Sequence, residues 1–144
     1  KKMFGIFKQR CNDPLLPIFR GFDDIFYMPQ SRHTKVRKED ITSDGRLHLI
    51  AESEESGPTI ITANGGREFF ITGHFEYAPL TLDQEYRRDL GKRNDVEMPK
   101  NYYIGDNPEN KPLVRWRAHA NLFFTNWINY YVYQETPYDI NMIR

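Results

Sequence analysis

The chain has 144 residues, room for one domain at roughly 100 to 200 residues per domain. Twenty Lys and Arg balance twenty Asp and Glu, so no overall field exists to hold nucleic acid. No stretch approaches the roughly 18 consecutive apolar residues that span a bilayer, and Lys1-Lys2 leads into no apolar signal core, so a soluble, cytoplasmic protein is expected. The single cysteine, Cys11, excludes an internal disulfide and a CxxC-type zinc site; no metal is expected. Hydrophobic residues at 39% and rings at 15% suffice for a packed core.

Charge is segregated despite the neutral total. Residues 1 to 38 carry nine Lys or Arg against three acids, and residues 39 to 60 carry six acids against one Arg. Two solvated surfaces or one self-complementary pair explain this, and an anion site for phosphate or carboxylate is the alternative. There is no internal repeat.

Segment 24–29 (DIFYMP) predicts a strand, as do 47–52 (LHLIAE) and 59–63 (TIITA). Asn64-Gly65-Gly66 tolerates positive φ, and 67–72 (REFFIT) follows as a strand, so these runs predict a hairpin. Pro79 opens a helix over 79–91, with Leu82, Tyr86 and Leu90 on one face, an Asp83–Arg87 pair four residues apart, and Gly91 as its end. Asn110 as N-cap and Pro112 at N1 predict a second helix over 112–135. Its apolar side chains recur at 113, 116, 120, 123, 124, 127, 128 and 131, and Thr136 before Pro137 stops it. The ring-rich stripe Trp116, Phe123, Phe124, Trp127 and Tyr131 predicts core packing along a sheet.

Between the last strand and the first helix stands Gly73-His74-Phe75-Glu76. In open α/β sheets ligands bind at the carboxyl ends of strands, which makes this turn the expected place for a catalytic pair. His74 and Glu76, two apart in extended backbone, would point to one side. The carboxylate would then fix the imidazole tautomer and stabilise the cation that forms when the ring takes a proton. Alone, HxE is weak, and such pairs are more often surface residues. The PCxxC partner of a zinc deaminase is absent. A nucleophile is missing: Cys11, in the loop-like run Arg10-Cys11-Asn12-Asp13-Pro14, lacks the strand, small neighbours and helix start of a nucleophile elbow. His33, His48 and His119 default to surface or satisfied histidines, and Arg88 alone is a helix-surface charge.

The strings ITGHFEY, TLDQEYRRDL, NYYIGDNPEN and WRAHANLFFTNWINYYVYQETPYDI, with RGFDDIFYMPQSRHT upstream, resemble the homoserine O-acyltransferases of methionine biosynthesis, of the homoserine O-succinyltransferase type. The resemblance covers essentially all 144 residues. It implies that residues 1–144 are the C-terminal portion of a single α/β domain, similar to class I glutamine amidotransferases and flavodoxin-like. The nucleophilic cysteine would lie in an N-terminal half before residue 1, so the chain by itself should be inactive.

What the resemblance further implies is ping-pong acyl transfer. A cysteine takes the acyl group from acetyl-CoA or succinyl-CoA, with acetyl weakly favoured, and the hydroxyl of L-homoserine then attacks the thioester. By position His74 would be the base and Glu76 its orienting partner, while Lys2, Ser31 and Arg88 would bind substrate. Acyl-CoA is the co-substrate and no bound cofactor is expected. Partners are the upstream half and, since the family tends to dimers, a second copy. Phe75 departs from the family's usual Pro in TGHPEY, which would reshape the turn. Serine as acceptor, glutamine amide hydrolysis and a noncatalytic regulatory half are the alternatives, with the ring-rich C-terminal motifs against glutaminase chemistry.

Overall fold

Apolar side chains fill both faces of the opening segment, β1 (Met3–Cys11). Phe4 and Ile6 pack on one side with Leu82, Tyr102, Tyr103 and Trp116. Cys11 turns to the other, where Phe26, Met28, Ile50 and Ile60 meet Phe123. A strand buried on both faces carries no polar alternation. With Gly5 and four Lys or Arg among residues 1–10, the opening predicts no strand from its composition.

The computed structural model describes residues 2–92, 95–134, 136, 137 and 139–143. The other strands are β2 (Ile25–Arg32), β3 (Leu47–Ser53), β4 (Gly57–Ala63) and β5 (Glu68–Ile71), and the sheet order is β2-β1-β3-β4-β5. A short helix α1 (Lys38–Thr42) precedes β3; α2 (Thr81–Leu90) and α3 (Arg117–Trp127) follow the sheet, and a π-helical turn, Ile128–Val132, continues α3. Leu82 of α2 joins the Phe4–Ile6 side, and Ala120 and Phe123 of α3 join the opposite side.

The architecture is mixed α/β, but its strands correct the expected flavodoxin-like sheet. Every strand pairing in the sheet is antiparallel. For β3–β4 and β4–β5 the physical reason is connection length: residues 54–56 and 64–67 fall far short of the dozen or more residues that a parallel crossover needs.

The sheet is curled. Thr72 donates its N–H to Thr59 O on β4, and His74 donates its N–H to Pro29 O on β2, both at 2.9 Å. Three inter-strand steps separate β4 from β2, roughly 14 Å in a flat sheet at about 4.8 Å per step. Two residues of chain span at most about 7 Å, so the sheet must bend to bring its two ends under one segment.

The predicted strands and hairpin are present with shifted ends; Asn64 and Gly65 take φ of 51° and 65°. The first predicted helix begins at Thr81 instead of Pro79. The second begins at Arg117 instead of 112: Pro112 bridges Tyr103, and Leu113 donates its N–H to Tyr102 O at 2.7 Å, so this segment is recruited as extended backbone. Its α-helical part ends at Trp127, and Glu135 lies outside the described residues. Trp116 and Phe123 are buried as expected, whereas Phe124 and Trp127 are about 40% exposed. Arg10 and Lys38 both reach Glu52, and Arg37 pairs with Asp40, which favours the self-complementary reading of the charge segregation.

Candidate active site

The turn after β5 is held from both ends of the curled sheet. Thr72 Oγ1 donates to Pro58 O at 2.9 Å, and two residues on His74 is anchored on β2. Between them Gly73 lies so close to the Met28 and Gln30 side chains that a Cβ there would collide with both. Phe75 is buried between Phe26 and Phe123, at ring separations of 5.9 and 5.3 Å. The residue that departs from the family pattern thus pins the turn to the core.

His74 Nδ1 and Glu76 Oε1 are 2.8 Å apart. The expected pair forms, although across a turn closed by Tyr77 N–H to His74 O at 3.4 Å rather than along extended backbone. The side chain of His74 is 33% exposed and that of Glu76 62%. With Nδ1 engaged, Nε2 is the nitrogen left to exchange a proton with a ligand. Tyr77 stacks on the imidazole with ring centroids 4.3 Å apart and planes 9° from parallel. The Tyr77 carbonyl accepts the indole N–H of buried Trp116 at 3.0 Å.

Lys2, Ser31 and Arg88 converge on one carboxylate, Glu85. Phe4 stands opposite Ser31 in the β1–β2 ladder, and Lys2, two residues before Phe4, shares its face. Lys2 Nζ lies 2.6 Å from Glu85 Oε1, and Ser31 Oγ donates to both Glu85 oxygens at 2.8 and 3.0 Å. Arg88, one helical turn along, is 3.9 Å from Glu85 and 2.8 Å from Asp89. Asp89 in turn lies 3.8 Å from Lys2. Burial raises the Tyr77 phenol above its ordinary range, and the charges of Glu85 and Glu76 raise it further.

Glu85, Asp89 and Tyr77 were missed from sequence. The available signals were the three-residue spacings Glu85–Arg88 and His74–Tyr77, each one turn. A cavity of about 570 Å³ opens beside Lys2 and Asp89, lined also by Phe4, Phe7, His33, Lys35 and Met98. Among the described residues no cluster of His, Cys, Asp or Glu is placed to hold a metal ion, and no helix is long and apolar enough to cross a membrane.

The remaining candidates are accounted for structurally. Cys11 is the last residue of β1 rather than part of a loop. Burial, with Asp24 adding repulsion, pushes its thiol up to about 11, the opposite of an activated nucleophile. His119 lies 3.3 Å from Asp23 and packs against Phe22 and Phe26, and His33 and His48 are exposed.

The homoserine O-succinyltransferase (HTS) family model covers residues 1–138 of this chain. The chain belongs to that family. It is 65% identical over all 144 residues to a homoserine O-acetyltransferase of Bacteroides fragilis and 64% identical to one of Phocaeicola vulgatus, covering 47% of each. It is 54% identical over its full length to a homoserine O-acetyltransferase of Acetivibrio thermocellus, again 47% of that protein. The chain therefore spans about half the length of the curated relatives it matches. The crystal structure of SMU.1228c shares the fold, with a TM-score of 0.56 at 12% identity over 88% of this chain and 51% of that one.

Proposed function

We propose that this chain is the base-bearing and acceptor-binding half of a cytoplasmic homoserine O-acyltransferase in methionine biosynthesis. The observation that carries the reading is the 2.8 Å His74–Glu76 pair beside a cluster that joins Lys2, Ser31 and Arg88.

Homoserine presents a carboxylate, an ammonium and a hydroxyl. Two cations, Lys2 and Arg88, and two anions, Glu85 and Asp89, make a neutral cluster with both signs available, which suits a zwitterion and not a simple anion. The Arg88 guanidinium offers the planar fork that a carboxylate accepts, and Glu85 is the acid available to the ammonium, with Ser31 and Lys2 fixing its oxygens.

The acyl group arrives from acyl-CoA as a thioester on a cysteine of the upstream half, for which the cavity beside Lys2 offers an approach. His74 Nε2 takes the proton of the homoserine hydroxyl while the oxygen attacks the thioester carbonyl, and Glu76 on Nδ1 stabilises the imidazolium. The C–S bond then breaks, the imidazolium returns its proton to the departing thiolate, and O-acylhomoserine leaves. General-base help of this kind contributes typically about 10²- to 10⁴-fold.

The names of the relatives favour acetyl as the acyl group. The test is steady-state CoA release by the full-length protein with acetyl-CoA or succinyl-CoA and homoserine or serine. Turnover with acetyl-CoA and homoserine is expected. Turnover that needs neither amino acid contradicts the acceptor assignment.

A further inference from the structure

Glu76 fixes one atom of the His74 ring, and one hydrogen bond from a carboxylate 62% exposed leaves the ring free to swing about that bond. A plane must be fixed by a second contact, and the described contact that supplies one is Tyr77. We propose that Tyr77 is a positioning residue for His74, its stacked ring holding the imidazole plane so that Nε2 meets the acceptor hydroxyl at one angle.

The inference rests on the reading of His74 as the base. Near-parallel rings 4.3 Å apart make a face contact that resists tilting, and aromatic pairs of this offset kind attract beyond their buried area. Tyr77 is itself held by rigid parts. Its carbonyl accepts from Trp116, which is 2% exposed, its N–H closes the turn onto His74, and its ring packs against the cluster of Phe4, Ile6 and Leu82. A chain of contacts thus runs from a buried indole to the reacting edge of the histidine. The phenol meanwhile lies in the field of both Glu76 and Glu85. A misplacement of about 1 Å between reacting groups can cost on the order of 100-fold in rate.

The test compares Tyr77→Phe, Tyr77→Leu and His74→Ala in the full-length enzyme, by steady-state kinetics and by the His74 Cε1–H resonance. Tyr77→Phe keeps the stack and is expected to stay within about threefold of wild type. Tyr77→Leu should lose on the order of 10- to 100-fold in kcat with little change in the homoserine KM, and the His74 resonance should move downfield as the ring current disappears.

A folded Tyr77→Leu enzyme with wild-type kcat, or a loss confined to KM, overturns the proposal while an inactive His74→Ala leaves the base in place. An active His74→Ala overturns the underlying reading instead. Should Tyr77→Leu fail to fold, Trp116→Phe, which removes the N–H that holds the Tyr77 carbonyl together with part of the buried ring, is measured at low temperature. A lower kcat with an unchanged KM supports the proposal, and an unchanged kcat overturns it.

Discussion

The Ser31 hydroxyl donates to both oxygens of Glu85, joining β2 to α2 across 54 residues of sequence at 2.8 and 3.0 Å. Glu85 is 18% exposed and also holds Lys2, so one carboxylate ties together the side chains that the family resemblance assigns to substrate. Glu85→Gln keeps the shape and removes the charge. It is expected to lower kcat/KM for homoserine on the order of 10- to 100-fold, from loss of a charge-assisted hydrogen bond worth about 1.5–3 kcal/mol, while acyl-adduct formation from the donor is little changed. Separate measurement of the two half-reactions checks this; equal losses in both contradict it.

Cys11 is a structural thiol. With its pKa pushed up to about 11, the thiolate fraction near pH 8 is on the order of 10⁻³. Native protein should resist iodoacetamide at Cys11 and react after denaturation, as read by peptide mass. The folded value lies above the unfolded one of about 8.5, so this group's contribution to stability is complete below that pH and is lost as pH rises through about 11.

Glu52 makes the acid side predictable. Burial alone raises its carboxyl, but hydrogen bonds and charge from Lys38 and Arg10 outweigh burial and hold it below the ordinary range. Its contribution is therefore present above the unfolded value of about 4.3 and is lost as pH falls through the folded one. Thermal midpoints from about pH 3 to 7 should fall less steeply on the acid side for Glu52→Gln than for wild type.

Phe75 anchors the His74–Glu76 turn through packing. Phe75→Ala empties the site between Phe26 and Phe123 and should destabilise by about 3–5 kcal/mol, read by denaturant unfolding. His74 keeps its own anchor on Pro29, so the loss should show in stability before it shows in kcat measured at low temperature.

Short runs rich in apolar and β-branched residues and bounded by turn residues made β2 to β5 legible. β1 was hidden by its composition: Gly5 interrupts the short apolar run 3–7, which leads into Lys8, Gln9 and Arg10 with no turn residue. Gly5 within it takes φ of 136° and faces the Lys100 backbone so closely that any side chain would collide, a constraint set by a residue 95 positions away. The curl was also unreadable, since it arises from where Thr72 and His74 bond rather than from their identities. In the site, HxE marked His74 and Glu76, and the family resemblance marked Lys2, Ser31 and Arg88. Glu85 and Tyr77 look like ordinary helix and turn residues until the fold sets Glu85 beside Ser31 and Tyr77 on the imidazole.

The most direct test of the central claim is the intact mass of the full-length protein mixed with acetyl-CoA or succinyl-CoA, before and after homoserine. An acyl adduct is expected that homoserine discharges in the wild type and that persists on addition of homoserine to His74→Ala. A folded protein that forms no adduct with either donor, or a His74→Ala adduct discharged at the wild-type rate, would contradict it.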